Sequence, residues 1–254
     1  MRDVRMENLR QLVESHGAVE VDMAASVLGV SRETIRRDMG KLAERGLIRR
    51  TRGGASAIDF SLTERELELR QSSNIEEKVA IARYVVDRLV EDGMSIALDG
   101  GTTALEVARQ LGGRRNVTVV TSNIPVVVEL ARARVNVVIV GGELRRRSMT
   151  ASGPFANDMM RRFHADIALV SGPAINASEG LMDSYVDGVT FKKIMIDNAD
   201  AAYALLDSSK IGQKSFISVC GLRDLLGIVT DSHISPQQLA EFEGADVDIL
   251  LAEV

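Results

Sequence analysis

The clearest pattern near the start of the chain is helical. Ile35, Met39 and Leu42 fall on one side of a helix that opens at Ser31. Basic side chains project away from that apolar side: Arg32, Arg36, Arg37 and Lys41. An arginine-rich amphipathic helix is often only a solvated surface, so the pattern alone leaves a structural and a functional interpretation open.

Two neighbouring features favour the functional interpretation. A shorter apolar helix over residues 24–28 ends at Gly29, where glycine readily takes a left-handed turn. Leu47 and Ile48 then open a short strand that runs through arginines into the glycines at 53–54. Two helices around a glycine turn, followed by a basic hairpin, are typical of a winged helix-turn-helix that reads DNA. We therefore predict that double-stranded DNA is a partner.

The predicted DNA contacts come from the second helix and the hairpin: Ser31, Arg32, Thr34, Arg36, Arg37, Lys41, Arg50 and Arg52. Ser31 is also a good N-cap for the helix. Arg32, Thr34, Arg36 and Arg37 are the first candidates for base edges, because they lie near the start of the helix. Lys41, Arg50 and Arg52 are predicted to grip phosphates.

Beyond residue 73 the pattern changes to short Val/Ile/Leu runs that alternate with helices. Strands are predicted at 94–99, 117–121, 135–140, 167–170, 203–206, 228–230 and 247–251. Helices are predicted at 76–90, 103–111, 125–132, 155–163, 189–198 and 236–241. Apolar strands between helices indicate a doubly wound, mainly parallel α/β sheet. The predicted domains are 1–56 and 74–254, joined by a charged linker or exposed helix at 57–73.

Polar and glycine residues follow the predicted strands, where ligands bind in such sheets. We predict a ligand site from these residues: Asp99, Gly100, Gly101, Thr102, Thr103, Thr121, Ser122, Asn123, Gly141, Gly142, Asp207 and Lys210. Glycines and a helix N-terminus suit an anion, and a carboxylate suits sugar hydroxyls. Each loop alone could be an ordinary turn, but four together favour a small phosphorylated, hydroxyl-rich molecule. Neither a P-loop nor a Gly-x-Gly-x-x-Gly sequence is present, which disfavours nucleoside triphosphates and dinucleotides.

The distribution of charge supports the division of the chain into two domains. The formal net charge is −5, yet residues 1–56 carry 11 Lys/Arg against 8 Asp/Glu. A basic head on an acidic body fits a DNA-binding module joined to a part that does not touch DNA. The single cysteine, Cys220, lies in an apolar run and fits a reducing cytosol. No apolar run approaches a membrane span, and the three histidines lack ligand spacing, so a cytoplasmic protein without a metal or cofactor is expected.

The ordered motifs resemble those of the DeoR-type bacterial transcriptional regulators. The N-terminal motifs are residues 30–38, 47–50 and 53–55. The later ones are residues 98–103, 121–123, 141–142, 153–154, 207–210 and 230–231. The resemblance implies a winged helix joined to a sensor related to sugar-phosphate isomerases, a homo-oligomer on DNA, and repression relieved by a sugar phosphate.

Three departures from the family pattern stand out. Gly100 occupies a position where the family commonly has serine, and Ser122 precedes Asn123 where Thr-Asn is usual. The run Arg145-Arg146-Arg147 is unusually basic and is either a solvated hairpin or an added anion contact. Lys192 also matches a family position, where its role could be structural.

Two alternatives remain beside a ligand-relieved repressor. One is an activator, or a repressor that needs its ligand as corepressor. The other is a sugar-phosphate isomerase with a DNA-binding head, in which Asp99, Asp207 and Lys210 would serve as acid and base. The predicted pocket loops contain no histidine and no clear catalytic pair, so no catalytic residue is assigned and the isomerase is less favoured.

Overall fold

The computed structural model describes residues 2–16, 18–44, 47–51, 53–57 and 67–254. The chain divides into two compact units, Met1–Phe60 and Ser61–Val254. Within the predicted linker at 57–73, the structure describes a short helix, Leu67–Ser72. The finer boundaries at residues 56 and 74 stay predictions.

The described part of the first unit is three helices with a small antiparallel sheet. The helices are α1 (Arg2–His16), α2 (Val21–Leu28) and α3 (Arg32–Glu44). The strands are β1 (Ala18–Glu20), β2 (Ile48–Thr51) and β3 (Gly54–Ala57), in the order β1-β3-β2. Ile35, Met39 and Leu42 are buried, as predicted, and pack with Leu9 and Val13 of α1.

The second unit is built around a parallel sheet. Its helices are α4 (Leu67–Ser72), α5 (Ile75–Arg88), α6 (Thr102–Gln110), α7 (Ile124–Leu130), α8 (Pro154–Met160), α9 (Val186–Asp197) and α10 (Pro236–Ala240). The central strands are β4 (Ser95–Leu98), β5 (Thr118–Thr121), β6 (Asn136–Ile139), β9 (Ala165–Val170), β12 (Ala199–Leu205), β14 (Gly227–Asp231) and β15 (Asp248–Ala252). Each of these central strands lies where the hydrophobic pattern predicts one.

The central sheet has the order β15-β14-β12-β9-β4-β5-β6, and its paired strands are all parallel. From β4 the chain builds outward through β5 to β6, then returns to add β9, β12, β14 and β15 on the other side. The strand order therefore reverses between β4 and β9, which is where doubly wound sheets bind ligands.

Helices cover both faces of this sheet, which explains why its strands lack polar alternation. On β4, Ile96 and Leu98 belong to a buried cluster with helices α5 and α6, whereas Ala97 belongs to the opposite cluster with α8 and α9. Cys220 is buried in the latter cluster. The predicted doubly wound architecture is confirmed.

Two small antiparallel sheets complete the second unit, and the hydrophobic pattern did not predict them. One is the hairpin of β7 (Glu143–Arg145) and β8 (Thr150–Ser152). The other joins β10 (Ala174–Asn176), β11 (Gly180–Asp183) and β13 (Ile217–Cys220). Some central strands are equally short, but these strands contain polar or glycine residues and lack the continuous Val/Ile/Leu run that marks a strand buried on both faces. Across the described ranges, every helix falls short of the length and apolar character needed to cross a bilayer.

Candidate functional site

The turn between α2 and α3 has the geometry that the glycine predicts. Gly29 adopts φ +65° and donates its N–H to the carbonyl of Ala25, which ends α2. Ser31 then caps α3, because its Oγ accepts the Thr34 N–H at 3.2 Å and lies 2.9 Å from the Thr34 hydroxyl. These contacts fix the angle at which α3 leaves the turn.

The outer side of α3 is basic and open. The Arg36 side chain is 60% exposed and lies 4.0 Å from Glu33, at the limit of an ion pair. Arg32 Nε lies 2.7 Å from Asp22 Oδ1 of α2, in an exposed pair. Exposed pairs of this kind contribute little to stability, so neither guanidinium group is firmly held by its carboxylate. Arg37 is exposed as well, and Lys41 is half-buried.

Asp38 is a charged residue of α3 whose side chain turns inward. It is buried, and its Oδ2 accepts from Arg5 Nε of α1 at 2.7 Å. Sequence reasoning did not single it out, although its position three residues after Ile35 places it on the apolar side. The contact fastens α1 to the underside of α3.

The hairpin after α3 forms the predicted wing. Strands β2 and β3 pair so that Arg50 lies opposite Ala55 and Thr51 opposite Gly54. Gly53 turns the chain at φ +103°, in the left-handed region that favours glycine. Arg50 is exposed on this hairpin. Arg52, the other arginine predicted to contact phosphate here, lies outside the described residues.

In the second unit, Asp99 lies at the switch point, which is the place between β4 and β9 where the strand order reverses. Its Oδ2 accepts from the Ser171 backbone N–H at 3.0 Å and from the Ser171 hydroxyl at 3.1 Å. Asp99 follows β4 and Ser171 follows β9, so this contact joins the two strands between which the order reverses. Ser171 was not among the predicted site residues, because only the strand order brings it to Asp99.

The two glycines after Asp99 are required by close neighbours. A Cβ at position 100 would lie 2.4 Å from Thr150 Cγ2, and a Cβ at position 101 would lie 2.4 Å from Ser171 Oγ. Thr150, on β8, thus fills the space that a serine at position 100 would need. Thr102 and Thr103 follow, both buried in the first turn of α6.

Lys192 is buried beside the same carboxylate. Its Nζ lies 3.5 Å from Asp99 Oδ2 and donates a short hydrogen bond to Asp183 at the end of β11. Burial acts to lower the pKa of Lys192, but the charges of Asp183 and Asp99 outweigh it and raise the pKa above its ordinary value. Lys192 is therefore a charged, buried link between α9 and the switch point.

The loop after β5 is held mainly by its own side chains. The Thr121 hydroxyl accepts the Asn123 N–H at 3.1 Å, and Asn123 Oδ1 accepts the Val126 N–H at 3.4 Å, which caps α7. The Ser122 carbonyl accepts the Ala151 N–H at 2.8 Å. All three predicted residues of this loop are buried at the carboxyl edge, next to β8.

The predicted glycines after β6 lie furthest from the switch point. Gly141 and Gly142 are exposed, two strands away from β4. A Cβ at position 142 would lie 2.5 Å from the Ser152 carbonyl oxygen, so the approach of β8 explains this glycine. Position 141 has open space around it.

Arg145, in the basic run of the β7–β8 hairpin, packs within the unit. Its guanidinium lies 3.8 Å from the centre of the Tyr185 ring, and its Nη1 donates to Ser148 Oγ at 3.1 Å. Arg146 and Arg147 are exposed in the turn. The first arginine of the run therefore secures the hairpin that covers Gly100.

Asp207, after β12, is a buried and ionised carboxylate. Its Oδ2 lies 3.0 Å from Lys210 Nζ, and its Oδ1 accepts from Asn74 Nδ2 at 2.8 Å and from the Ser209 hydroxyl. Burial acts to raise the pKa of Asp207, but Lys210 and these hydrogen bonds lower the pKa to about 2. The loop itself is held by Asp231, whose Oδ2 accepts the Ser208 N–H at 2.6 Å.

Lys78, in the first turn of α5, is a second buried ammonium in addition to Lys192. The sequence analysis did not identify it. Its Nζ donates short hydrogen bonds to the carbonyls of Arg70 and Ser73. Burial, and secondly the charge of Lys210, lower the pKa of Lys78 to about 8. Lys78 is spaced at helical intervals from Ala82 and Val85 on the buried side of α5, and this spacing could have predicted its burial.

This arrangement suits binding of a polar anion. Carboxylates at Asp99 and Asp207 can accept from hydroxyls, and Lys210 and the α6 N-terminus can favour negative charge. The described residues contain no group of three His, Cys, Asp or Glu side chains that could hold a metal ion.

Comparison with known proteins covers nearly the whole chain. Residues 5–60 match the family model for a DeoR-like helix-turn-helix domain, and residues 73–232 match that for the DeoR C terminal sensor domain. The HTH-type transcriptional regulator GlpR of Haloferax volcanii is 31% identical over 97% of this chain and 96% of its own length. The lactose phosphotransferase system repressor of Staphylococcus epidermidis is 31% identical over 90% of this chain and 92% of its own length. Ribose 5-phosphate isomerase A of Methanocaldococcus jannaschii is 24% identical, covering 54% of this chain and 55% of that one, with a TM-score of 0.41.

Proposed function

The chain belongs to the DeoR family of transcriptional regulators, and we propose that it represses genes of carbohydrate catabolism in the cytoplasm. It binds operator DNA through the winged helix-turn-helix and releases it when a phosphorylated sugar binds the second unit. One observation carries the proposal: Asp99, Asp207 and Lys210 all lie at the carboxyl edge of the sheet, in a chain that also presents α3. The named relatives are regulators, which removes support from the isomerase alternative.

On the DNA side, α3 enters the major groove. Arg32, Arg36 and Arg37, with Thr34, read base edges from its first turns, and Ser31 contacts a phosphate beside them. Lys41 and the wing residues Arg50 and Arg52 bind phosphates. Two half-sites on the operator require at least a dimer, so the working form is a homo-oligomer.

On the ligand side, the sugar hydroxyls donate to Asp207 and Asp99. Although burial acts to raise the pKa of Asp207, Lys210 and the hydrogen bonds around it lower the pKa to about 2, so Asp207 is charged at neutral pH and is a strong acceptor. The phosphate lies toward Lys210 and the first turn of α6, where Thr102 and Thr103 supply backbone N–H groups and hydroxyls. The loops at Thr121–Asn123 and Gly141–Gly142 follow β5 and β6, the next two strands along the same edge, and extend the proposed site.

Release of DNA follows if the sugar phosphate binds the DNA-free form more tightly than the DNA-bound form. A coupling of about 1–3 kcal/mol changes operator affinity roughly 5–150-fold. In this proposal the predicted domain 1–56 recognises DNA and the predicted domain 74–254 senses the ligand. The linker at 57–73 connects the two.

The test is a thermal-shift screen of the full chain with sugar phosphates, each paired with its unphosphorylated sugar. Ribose 5-phosphate, fructose 6-phosphate and glucose 6-phosphate are the first pairs. A compound at 100 times its Kd stabilises the folded state by about 2.7 kcal/mol, which shifts Tm visibly. The Asp207→Asn variant should lose that shift, whereas Asp200→Asn, an exposed aspartate in β12, should keep it.

Operator affinity decides the direction of regulation. A duplex selected by the protein from a random pool serves as the DNA, with and without the stabilising compound. Weaker binding with the compound supports a ligand-relieved repressor, and tighter binding supports a corepressor instead. A free sugar that shifts Tm as much as its phosphate would contradict the phosphorylated effector.

A further inference from the structure

Asn74 departs from the usual behaviour of an asparagine at the start of a helix. It occupies the N-cap of α5, but its side chain makes no capping hydrogen bond. It also adopts φ +50°, a left-handed conformation that asparagine accepts more readily than most residues other than glycine. Because the side chain does not cap α5, another contact must account for its position.

That contact is with the candidate ligand loop. Asn74 Nδ2 donates to Asp207 Oδ1 at 2.8 Å and to Ser209 Oγ at 3.0 Å. Because Asp207 is an ionised acceptor, this hydrogen bond is stronger than one between neutral groups. The 73–74 turn is thus fastened to the carboxyl end of β12.

The same turn holds α4. Lys78 donates to the carbonyls of Arg70, within α4, and of Ser73, just after it. α4 therefore ends at a turn that is fixed on one side by Lys78 and on the other by Asn74. In sequence, α4 is the first described element after β3 of the winged-helix unit.

We propose that Asn74 couples occupancy of the 207–210 loop to α4, an inference that rests on the proposed function. A ligand hydroxyl that donates to Asp207 Oδ1 competes for the acceptor that the Asn74 amide uses. Once that amide is displaced, the 73–74 turn loses its contact with the 207–210 loop, and α4 loosens with the turn. Asn74 is in this sense a positioning residue, acting through the turn.

Hydrogen exchange measured on the full chain tests the coupling. In Asn74→Gly the glycine accepts the left-handed backbone conformation. Any change in hydrogen exchange therefore reports loss of the Asn74 side-chain amide. Asn116→Gly is the matched control, since Asn116 is exposed and has φ +58° at a distant loop. Amides of residues 67–73 should exchange about tenfold faster in Asn74→Gly, as expected for loss of a hydrogen bond to a charged acceptor. Asn116→Gly should leave them unchanged.

The same measurement is made with ribose 5-phosphate, fructose 6-phosphate and glucose 6-phosphate. A compound that slows exchange at 207–210 should quicken it at 67–73 in the parent chain, and should have no further effect there in Asn74→Gly. Equal exchange in the two glycine variants, or protection of 207–210 without loosening of 67–73, overturns the coupling. If no compound protects 207–210, the proposed effector class fails, and the comparison of the glycine variants still decides whether Asn74 holds α4.

Discussion

Lys192 of α9 and Asp99 after β4 meet inside the second unit, with Nζ 3.5 Å from Oδ2. Asp183 shares the ammonium, and Ser171 donates to the same Asp99 oxygen. The Asp99 carboxylate is therefore held between two strands and a helix. This fixes the direction in which the chain enters the loop that starts at Gly100. Two acidic groups around one cation also make the site dependent on that cation.

Lys192→Met should lower the free energy of unfolding by about 3–5 kcal/mol, because it leaves two buried carboxylates without their ammonium. Lys193→Met is the control, since the adjacent lysine is partly exposed and pairs with Asp197 and Asp224. It should cost less than about 1 kcal/mol. Urea unfolding of both variants gives the comparison, and similar losses in the two would contradict the role assigned to Lys192.

Substitution by alanine at two glycines of the helix-turn-helix should change the free energy of unfolding with opposite signs. Among the described residues, no atom beyond the local backbone lies within 4 Å of a Cβ added at either position, so packing is not involved. Gly29 has φ +65°, and Gly29→Ala should destabilise the chain by about 1–2 kcal/mol. Gly40 lies within α3, and Gly40→Ala should stabilise it by about 0.5–1 kcal/mol. Thermal unfolding measures both, and shifts of the same sign would refute the backbone explanation.

The sequence was sufficient for the parts of the fold that have a clear hydrophobic period. The central strands are recognised as continuous apolar runs and the helices between them by their helical spacing, and a parallel sheet places the carboxyl ends of its strands at one edge. Asp99, Thr121 and Asp207 could therefore be placed at that edge from their positions after strands.

The partners of those residues could not be predicted, because they come from distant parts of the chain. Asn74 reaches Asp207 across 133 residues of chain, and Ser171 reaches Asp99 because β9 and β4 are neighbours in the sheet. Thr150 belongs to a three-residue strand with no readable period. Asp38 and Lys78 were polar residues on apolar helix faces, and that pattern was the missed signal.

Arg36→Ala should weaken binding to the selected operator by about 1–3 kcal/mol if the guanidinium reads a base. Binding to an unrelated duplex should change much less. Arg115→Ala, an exposed arginine of the second unit that pairs with Asp92, should leave both affinities unchanged. Fluorescence anisotropy at two salt concentrations measures these affinities. An equal loss on both duplexes would instead assign Arg36 to a phosphate.

Gly100→Ser should cost about 1–3 kcal/mol of stability, because its Cβ would lie 2.4 Å from Thr150 Cγ2. Thr150→Ser removes that methyl group and keeps the hydroxyl that lies 2.7 Å from Ser148 Oγ. The double variant should recover most of the loss, with a coupling of at least about 1 kcal/mol in the mutant cycle. Strictly additive effects would show that Thr150 does not determine the glycine at position 100.

Lys78 should make the free energy of unfolding rise with pH above about 8. Burial and the charge of Lys210 lower the pKa of Lys78 to about 8 in the folded chain, whereas an unfolded lysine titrates near pH 10.4. Between these values the unfolded chain keeps a proton that the folded chain has released, so raising the pH favours folding. Below pH 8 both states hold the proton and the contribution is constant. Urea unfolding of the parent and Lys78→Met from pH 7 to 10 isolates this group, and the exposed Lys214→Met serves as control. The parent's stability relative to Lys78→Met should climb through this window, and a flat difference would mean that Lys78 keeps its proton when folded.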